Sequence, residues 1–170
     1  VIEVSTEDAN KPSNLPVVRV YSSSIEELEN DADSTLRVIN VIQPGKKVKL
    51  RLSDNGKIVS RGMDVEEVEA AIVTGKGLVI LEGKCNKANL RCTGTGEIQA
   101  DELEAVDVSC MIIGTGTIGC WPNDGKLTIK GSGTGKVYYK GMPSEIKSYQ
   151  LGKIKAIPLR NAEFNGKDAE

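Results

Sequence analysis

The chain has no histidine among its 170 residues. That removes the side chain most often used as general base and metal ligand near neutral pH, and with it every Ser-His or Cys-His nucleophile pair. Aromatic residues are nearly as scarce, at 4% with a single Trp and a single Phe. A core must therefore be filled by Val, Ile, Leu and Ala, and it must be thin. No run approaches the roughly 18 apolar residues of a membrane-spanning helix. Neither sign of charge dominates, since 22 Lys and Arg stand against 24 Asp and Glu for a net −2. A near-neutral chain offers no global attraction to nucleic acid or to an anionic membrane surface. The four cysteines, Cys85, Cys92, Cys110 and Cys120, form no C-x-x-C pair, so zinc-ribbon spacing is missing. Each lies in or beside an apolar stretch and reads as a small buried hydrophobe, with a disulfide as the alternative. No metal or cofactor is expected. The first residue is Val1 rather than Met, which reads as a mature or trimmed product with any signal peptide removed.

What the chain does have is glycine, 18 residues of it, at a regular interval. The spacing G-x-G recurs as Gly75-Lys76-Gly77, Gly94-Thr95-Gly96, Gly114-Thr115-Gly116 and Gly133-Thr134-Gly135. Gly56 extends the series upstream and Gly152 downstream, which gives a period of about 19–20 residues. Two positions after these anchors stand Ile58, Val79, Ile98, Ile118, Val137 and Ile154, all β-branched. Six positions before them stand Leu50, Ala71, Leu90, Cys110, Ile129 and Ile146, all apolar. The intervening columns are mostly polar, and alternation at period two marks strands with one buried face. Each repeat reads as strand, Gly corner, strand and a second turn, the latter at Gly83-Lys84, at Pro122–Gly125 and at Gly141–Ser144.

A β-sandwich also has short strands with frequent turns, but it does not demand the same register at every second turn. Stacked coils do, because each inward residue must sit on its equivalent in the next rung. The expected fold is therefore all-β, a right-handed parallel β-helix or solenoid of about six short rungs. The expected organisation is an N-terminal strand and capping segment over 1–44, the Gly-anchored solenoid over 45–158 and a polar tail over 159–170. Within the first segment, Val17–Val20 and Leu36–Ile42 read as strands. Thr95, Thr115 and Thr134, each between paired glycines, should stack along one corner.

The runs Thr74-Gly75-Lys76-Gly77-Leu78-Val79, Cys92-Thr93-Gly94-Thr95-Gly96-Glu97-Ile98 and Gly114-Thr115-Gly116-Thr117-Ile118 closely resemble the GIN domain, the head domain of autotransporter adhesins of Gram-negative bacteria. The most specific piece is Gly131-Ser132-Gly133-Thr134-Gly135-Lys136-Val137-Tyr138-Tyr139-Lys140-Gly141-Met142-Pro143, and the resemblance spans about residues 45–157. It implies a parallel β-helical protein that is exported, periplasmic or at the cell surface, and often lipid-anchored through a removed N-terminal segment. It supplies no catalytic residues.

Four groups of side chains are candidates for chemistry. Arg51, Arg91, Lys130 and Lys147 fall in one outward column, with Lys57, Lys136 and Lys153 bordering it. Stacked cations repel one another unless something anionic covers them, which points to an acidic glycan, a lipid headgroup or a surface protein. A solvated face that keeps edges apart is the bland alternative. The acids Glu97, Asp101, Glu102, Glu104 and Asp107 could serve a polysaccharide-active enzyme or hold Ca²⁺, although Ala100–Val106 reads as an exposed loop. Trp121 and an outward Tyr138 could stack on a sugar, with Tyr139 pointing inward. Ser22–Ser24 has neither His nor a nucleophile-elbow context and reads as linker. The functional expectation is a binding or adhesion module without catalysis, able to self-associate. A pectinase-like enzyme and a purely structural envelope protein are the alternatives.

Overall fold

The computed structural model describes residues 19–159, all of them strand, turn or loop. The strands are β1 (Glu27–Asn30), β2 (Thr35–Ile39), β3 (Ile42–Leu52), β4 (Lys57–Ile72), β5 (Leu78–Gly94), β6 (Glu97–Gly114), β7 (Thr117–Pro122), β8 (Lys126–Gly133), β9 (Lys136–Tyr139), β10 (Glu145–Gly152) and β11 (Lys155–Pro158). Every strand pair is parallel, and the coils stack into a β-solenoid of about seven turns. Inward residues are superposed rung on rung, as in the column Ile58, Val79, Ile98, Ile118 and Val137. All five are fully buried. Because each coil is only about 20 residues around, β-branched and Leu side chains fill most of the interior.

The turn beyond the expected six comes from the N-terminal segment. β1 stacks on β3 (Leu28 on Leu50) and β2 on β4 (Leu36 on Ile58), so this segment forms a full rung without a glycine anchor. Two buried amides do the work that glycine does elsewhere. Asn30 Nδ2 donates to the carbonyls of Ser34 and Lys57, and its Oδ1 accepts from the Ala32 N–H. Gln43 Oε1 accepts from the Ile25 N–H while Nε2 donates to the Ile25 carbonyl, which imitates a strand partner. Of the expected strand Val17–Val20, residues 19 and 20 are not in a strand and the rest lies outside the described residues, as does 160–170.

The second turn is a true break in the first rung, at Asn40–Val41, and in the last ones, at Pro122–Gly125 and Gly141–Ser144. In the middle rungs, the ladder continues through the corner with a register shift, between Ile80 and Glu82 and again between Ala100 and Glu104. Gly83 therefore sits inside β5, at φ 135°, where the Met63 backbone leaves no room for a Cβ. Ala100–Val106 is accordingly strand rather than exposed loop, with Ala100, Asp101, Leu103 and Ala105 buried. A bulge lets the wall turn while keeping its hydrogen bonds, and an alternation count cannot see this.

Three column assignments shift for the same kind of reason. Ala70, not Ala71, continues the buried Leu50 column, because the corner after Ile72 holds one residue more. In the last rung Gly152 stacks on Gly133 rather than on Gly135, so Ser148, not Ile146, continues Ile129, and Ala156, not Ile154, continues Val137.

Candidate ligand-binding face

The wall built from β1, β3, β4, β5, β6, β8 and β10 carries three adjacent outward columns, and their chemistry differs. The first reads Lys47, Glu67, Lys87, Asp107, Lys126 and Glu145. Charge sign alternates at every rung. Lys47 Nζ lies 3.0 Å from Glu67 and 2.7 Å from Glu69, and the Lys126 N–H donates to Asp107 at 2.9 Å. The two carboxylates raise the Lys47 pKa, led by Glu69, and Lys47 holds the Glu69 carboxyl below its ordinary value. Opposite charges thus stand next to one another along this column. The second is mixed and mainly uncharged below its first rungs: Glu27, Lys49, Glu69, Asn89, Ser109, Thr128 and Lys147.

The third column reads Glu29, Arg51, Ala71, Arg91, Met111, Lys130 and Tyr149. Three of the four expected cations, Arg51, Arg91 and Lys130, thus share one column, with an apolar side chain between each successive pair. Lys147 does not belong to it. The two-residue shift of the last rung places Lys147 in the second column, over Thr128, where it pairs with Glu145 at 3.2 Å. Arg51 meets Glu29 only at 3.9 Å, and among the described residues Arg91 and Lys130 form no ion pair. Ala71 is a low point between taller neighbours, and it opens a shallow concavity of about 570 Å³ whose lining includes Arg51, Arg91, Met111 and Lys130. The bordering cations are placed elsewhere. Lys57 and Lys136 lie beyond the glycine corner in a column whose middle is Leu78, Glu97 and Thr117, and Lys155 rather than Lys153 ends it.

The acids of β6 are held one by one. Glu102 takes Lys140 at 2.8 Å, Glu104 accepts from Asn123 Nδ2 at 2.7 Å, Asp107 accepts from the Lys126 N–H, and Glu97 accepts from Gln99 at 2.6 Å. Asp101 turns inward and is only 6% exposed. Each acid has its own partner or its own direction, which is the pattern of structural anchoring rather than of a shared acid–base pair. No group of three or more potential metal ligands occurs among the described residues. Trp121 is half-buried, with Lys140 Nζ 4.3 Å from its ring centroid and the Gly141 backbone against its edge, so one face of the indole is already covered. Tyr139 packs on the core as expected. Thr95, Thr115 and Thr134 share an exposed corner in which each N–H donates to a glycine carbonyl one rung back.

All four cysteines are buried and free. Burial pushes the Cys85 thiol up to about 12 and Cys92 to about 11. A thiol hydrogen bond with Cys110, reinforced by burial, raises Cys120 well above its ordinary value. All four pack in the core, and Cys85, Cys92 and Cys120 are kept protonated by their surroundings.

Parallel rungs anchored by G-x-G corners, over a face without convergent acids, can now be set against known proteins. The family described as "Putative auto-transporter adhesin, head GIN domain" matches residues 1–143. The chain belongs to this family. The match takes in the N-terminal rung, which the glycine pattern had left out, and ends at the Gly141–Ser144 turn rather than near residue 157. Among solved structures, the GIN chain resembles a putative adhesin from Bacteroides fragilis, at 19% identity and a TM-score of 0.66. The alignment covers 81% of this chain and 62% of that one, so the chain spans under two thirds of that protein, and the likeness bears on the fold. No curated protein matches significantly.

Proposed function

We propose that this GIN domain is an exported, non-catalytic binding module of the periplasm or cell surface, and that the Arg51–Arg91–Lys130 column is its contact surface for an acidic glycan. The observation that carries this reading is the contrast between neighbouring columns. In the Lys47–Glu145 column charge sign alternates at every rung, while two columns away three cations line a concavity, Arg91 and Lys130 with no ion pair among the described residues and Arg51 with only a loose one to Glu29 at 3.9 Å. A solubility role would be served by either pattern. Only the second leaves donors free for an anion, and arginine presents them as a planar fork suited to carboxylate or sulfate. The adhesin family supports binding and an exported location, and the individually anchored acids of β6 support the absence of catalysis.

The test is titration of purified protein with acidic and neutral oligosaccharides at low and high salt. Acidic oligosaccharides should bind, binding should weaken with salt, and Arg91→Ala or Lys130→Ala should each weaken it about 5- to 20-fold, as expected for one charge-assisted hydrogen bond. Binding that neither variant alters would move the site elsewhere. Binding to anionic vesicles but to no glycan would replace the glycan with a lipid headgroup.

A further inference from the structure

The spacing within the cationic column carries more than its charge. Parallel rungs lie about 4.8 Å apart. Arg51 and Arg91 are two rungs apart, with Ala71 between them, and Arg91 and Lys130 are again two rungs apart, with Met111 between them. The positive charges therefore recur about every 10 Å along the solenoid axis, with an apolar step halfway. In an extended polysaccharide that interval is close to the length of two sugar rings. One sugar would present its anion to a cation. The next would lay its C–H face on Ala71 or Met111.

The geometry points to an extended acidic polysaccharide with one anionic group on every second sugar, lying along the solenoid axis over Arg51, Ala71, Arg91, Met111 and Lys130. This rests on the glycan reading above and specifies the ligand class of the same face. The flanking column supplies neutral partners for sugar hydroxyls, since Asn89 and Ser109 also line the concavity. Three carboxylates lie nearby, and none belongs to the stretch of this column from Arg51 to Lys130: Glu27 lines the concavity at the first rung, in register with Lys49. Glu69 is held by Lys47 at 2.7 Å, and Glu29 holds Arg51 loosely at 3.9 Å. A polymer charged on every sugar would set an anion over Ala71 and another over Met111, where nothing compensates it.

The probes are a hyaluronan decasaccharide, with a carboxylate on alternate sugars, and a polygalacturonate decamer, with one on every sugar. Both are titrated into the wild-type protein and into the double variant Ala71→Lys/Met111→Lys, whose fold is checked by circular dichroism. The wild type should bind hyaluronan at least 10-fold more tightly than polygalacturonate despite its lower charge, and the double variant should reverse that order. Equal or tighter polygalacturonate binding by the wild type overturns the alternate-sugar register while leaving an acidic-glycan site in place. That comparison needs no variant to fold. A preference that the double variant fails to move also overturns it, because the discrimination then lies outside this column. Binding of neither probe at any salt removes the glycan reading itself.

Discussion

Gly131 tests whether rung stacking, rather than turn conformation, is what demands glycine in this solenoid. It lies in β8 at φ 133°, and a Cβ there would run into the carbonyl group of Ile112, one rung back. Gly45 is the natural control, because it also has a positive φ, 78°, but nothing lies within 4 Å of a Cβ built on it. Alanine at Gly45 incurs only the conformational cost, about 1 kcal/mol. Alanine at Gly131 incurs about 1–3 kcal/mol of backbone strain. It also forces a backbone carbonyl of the neighbouring rung aside, comparable to core overpacking at about 1–3 kcal/mol. The sum is about 4 kcal/mol, and for a chain of this size each kcal/mol moves Tm by about 3 °C. Gly131→Ala should thus lower Tm by about 12 °C and Gly45→Ala by about 3 °C. Urea unfolding would show the same order in the midpoint at constant m. Equal losses in the two variants would refute the stacking argument and leave only the φ requirement.

Lys87→Glu places three acids in consecutive rungs with Glu67 and Asp107, and it should cost about 1 kcal/mol in urea unfolding, a loss that 1 M salt should largely remove. Ser60 Oγ is fully buried with no hydrogen-bond partner among the described residues, so Ser60→Ala should be neutral or raise stability by up to about 1 kcal/mol. The thiols should resist a water-soluble maleimide in the folded protein, and all four should label in urea, as counted by mass spectrometry. Because burial raises Cys85 from 9.0 to about 12, the unfolded chain loses this proton first. The stability involved is intact below pH 9 and is lost as pH rises from there towards 12. Cys85→Ala should therefore flatten the alkaline fall in stability, measured by urea midpoints from pH 8 to 11.

The repeat is legible in the order of residues. Gly77, Gly96, Gly116 and Gly135 recur at one rung length, and Ile58, Val79, Ile98, Ile118 and Val137 follow them in phase, because a stacked coil puts the same steric demand on every turn. Parallel strands, the thin aliphatic core and the membership of the Arg51, Arg91 and Lys130 column all follow from that phase. Where the phase slips depends on packing between rungs. The first rung uses Asn30 and Gln43 in place of glycine, since side-chain amides can satisfy backbone groups that a corner would otherwise strand. The bulge at Ala100–Glu104 turns a wall without a break, which buries Asp101. The last rung stacks Gly152 on Gly133, which takes Lys147 out of the cationic column. Pairing across rungs also created the column of alternating charge from Lys47 to Glu145. Its members lie about 20 residues apart in the chain, and their charges become neighbours only when strand register brings the rungs about 4.8 Å from one another.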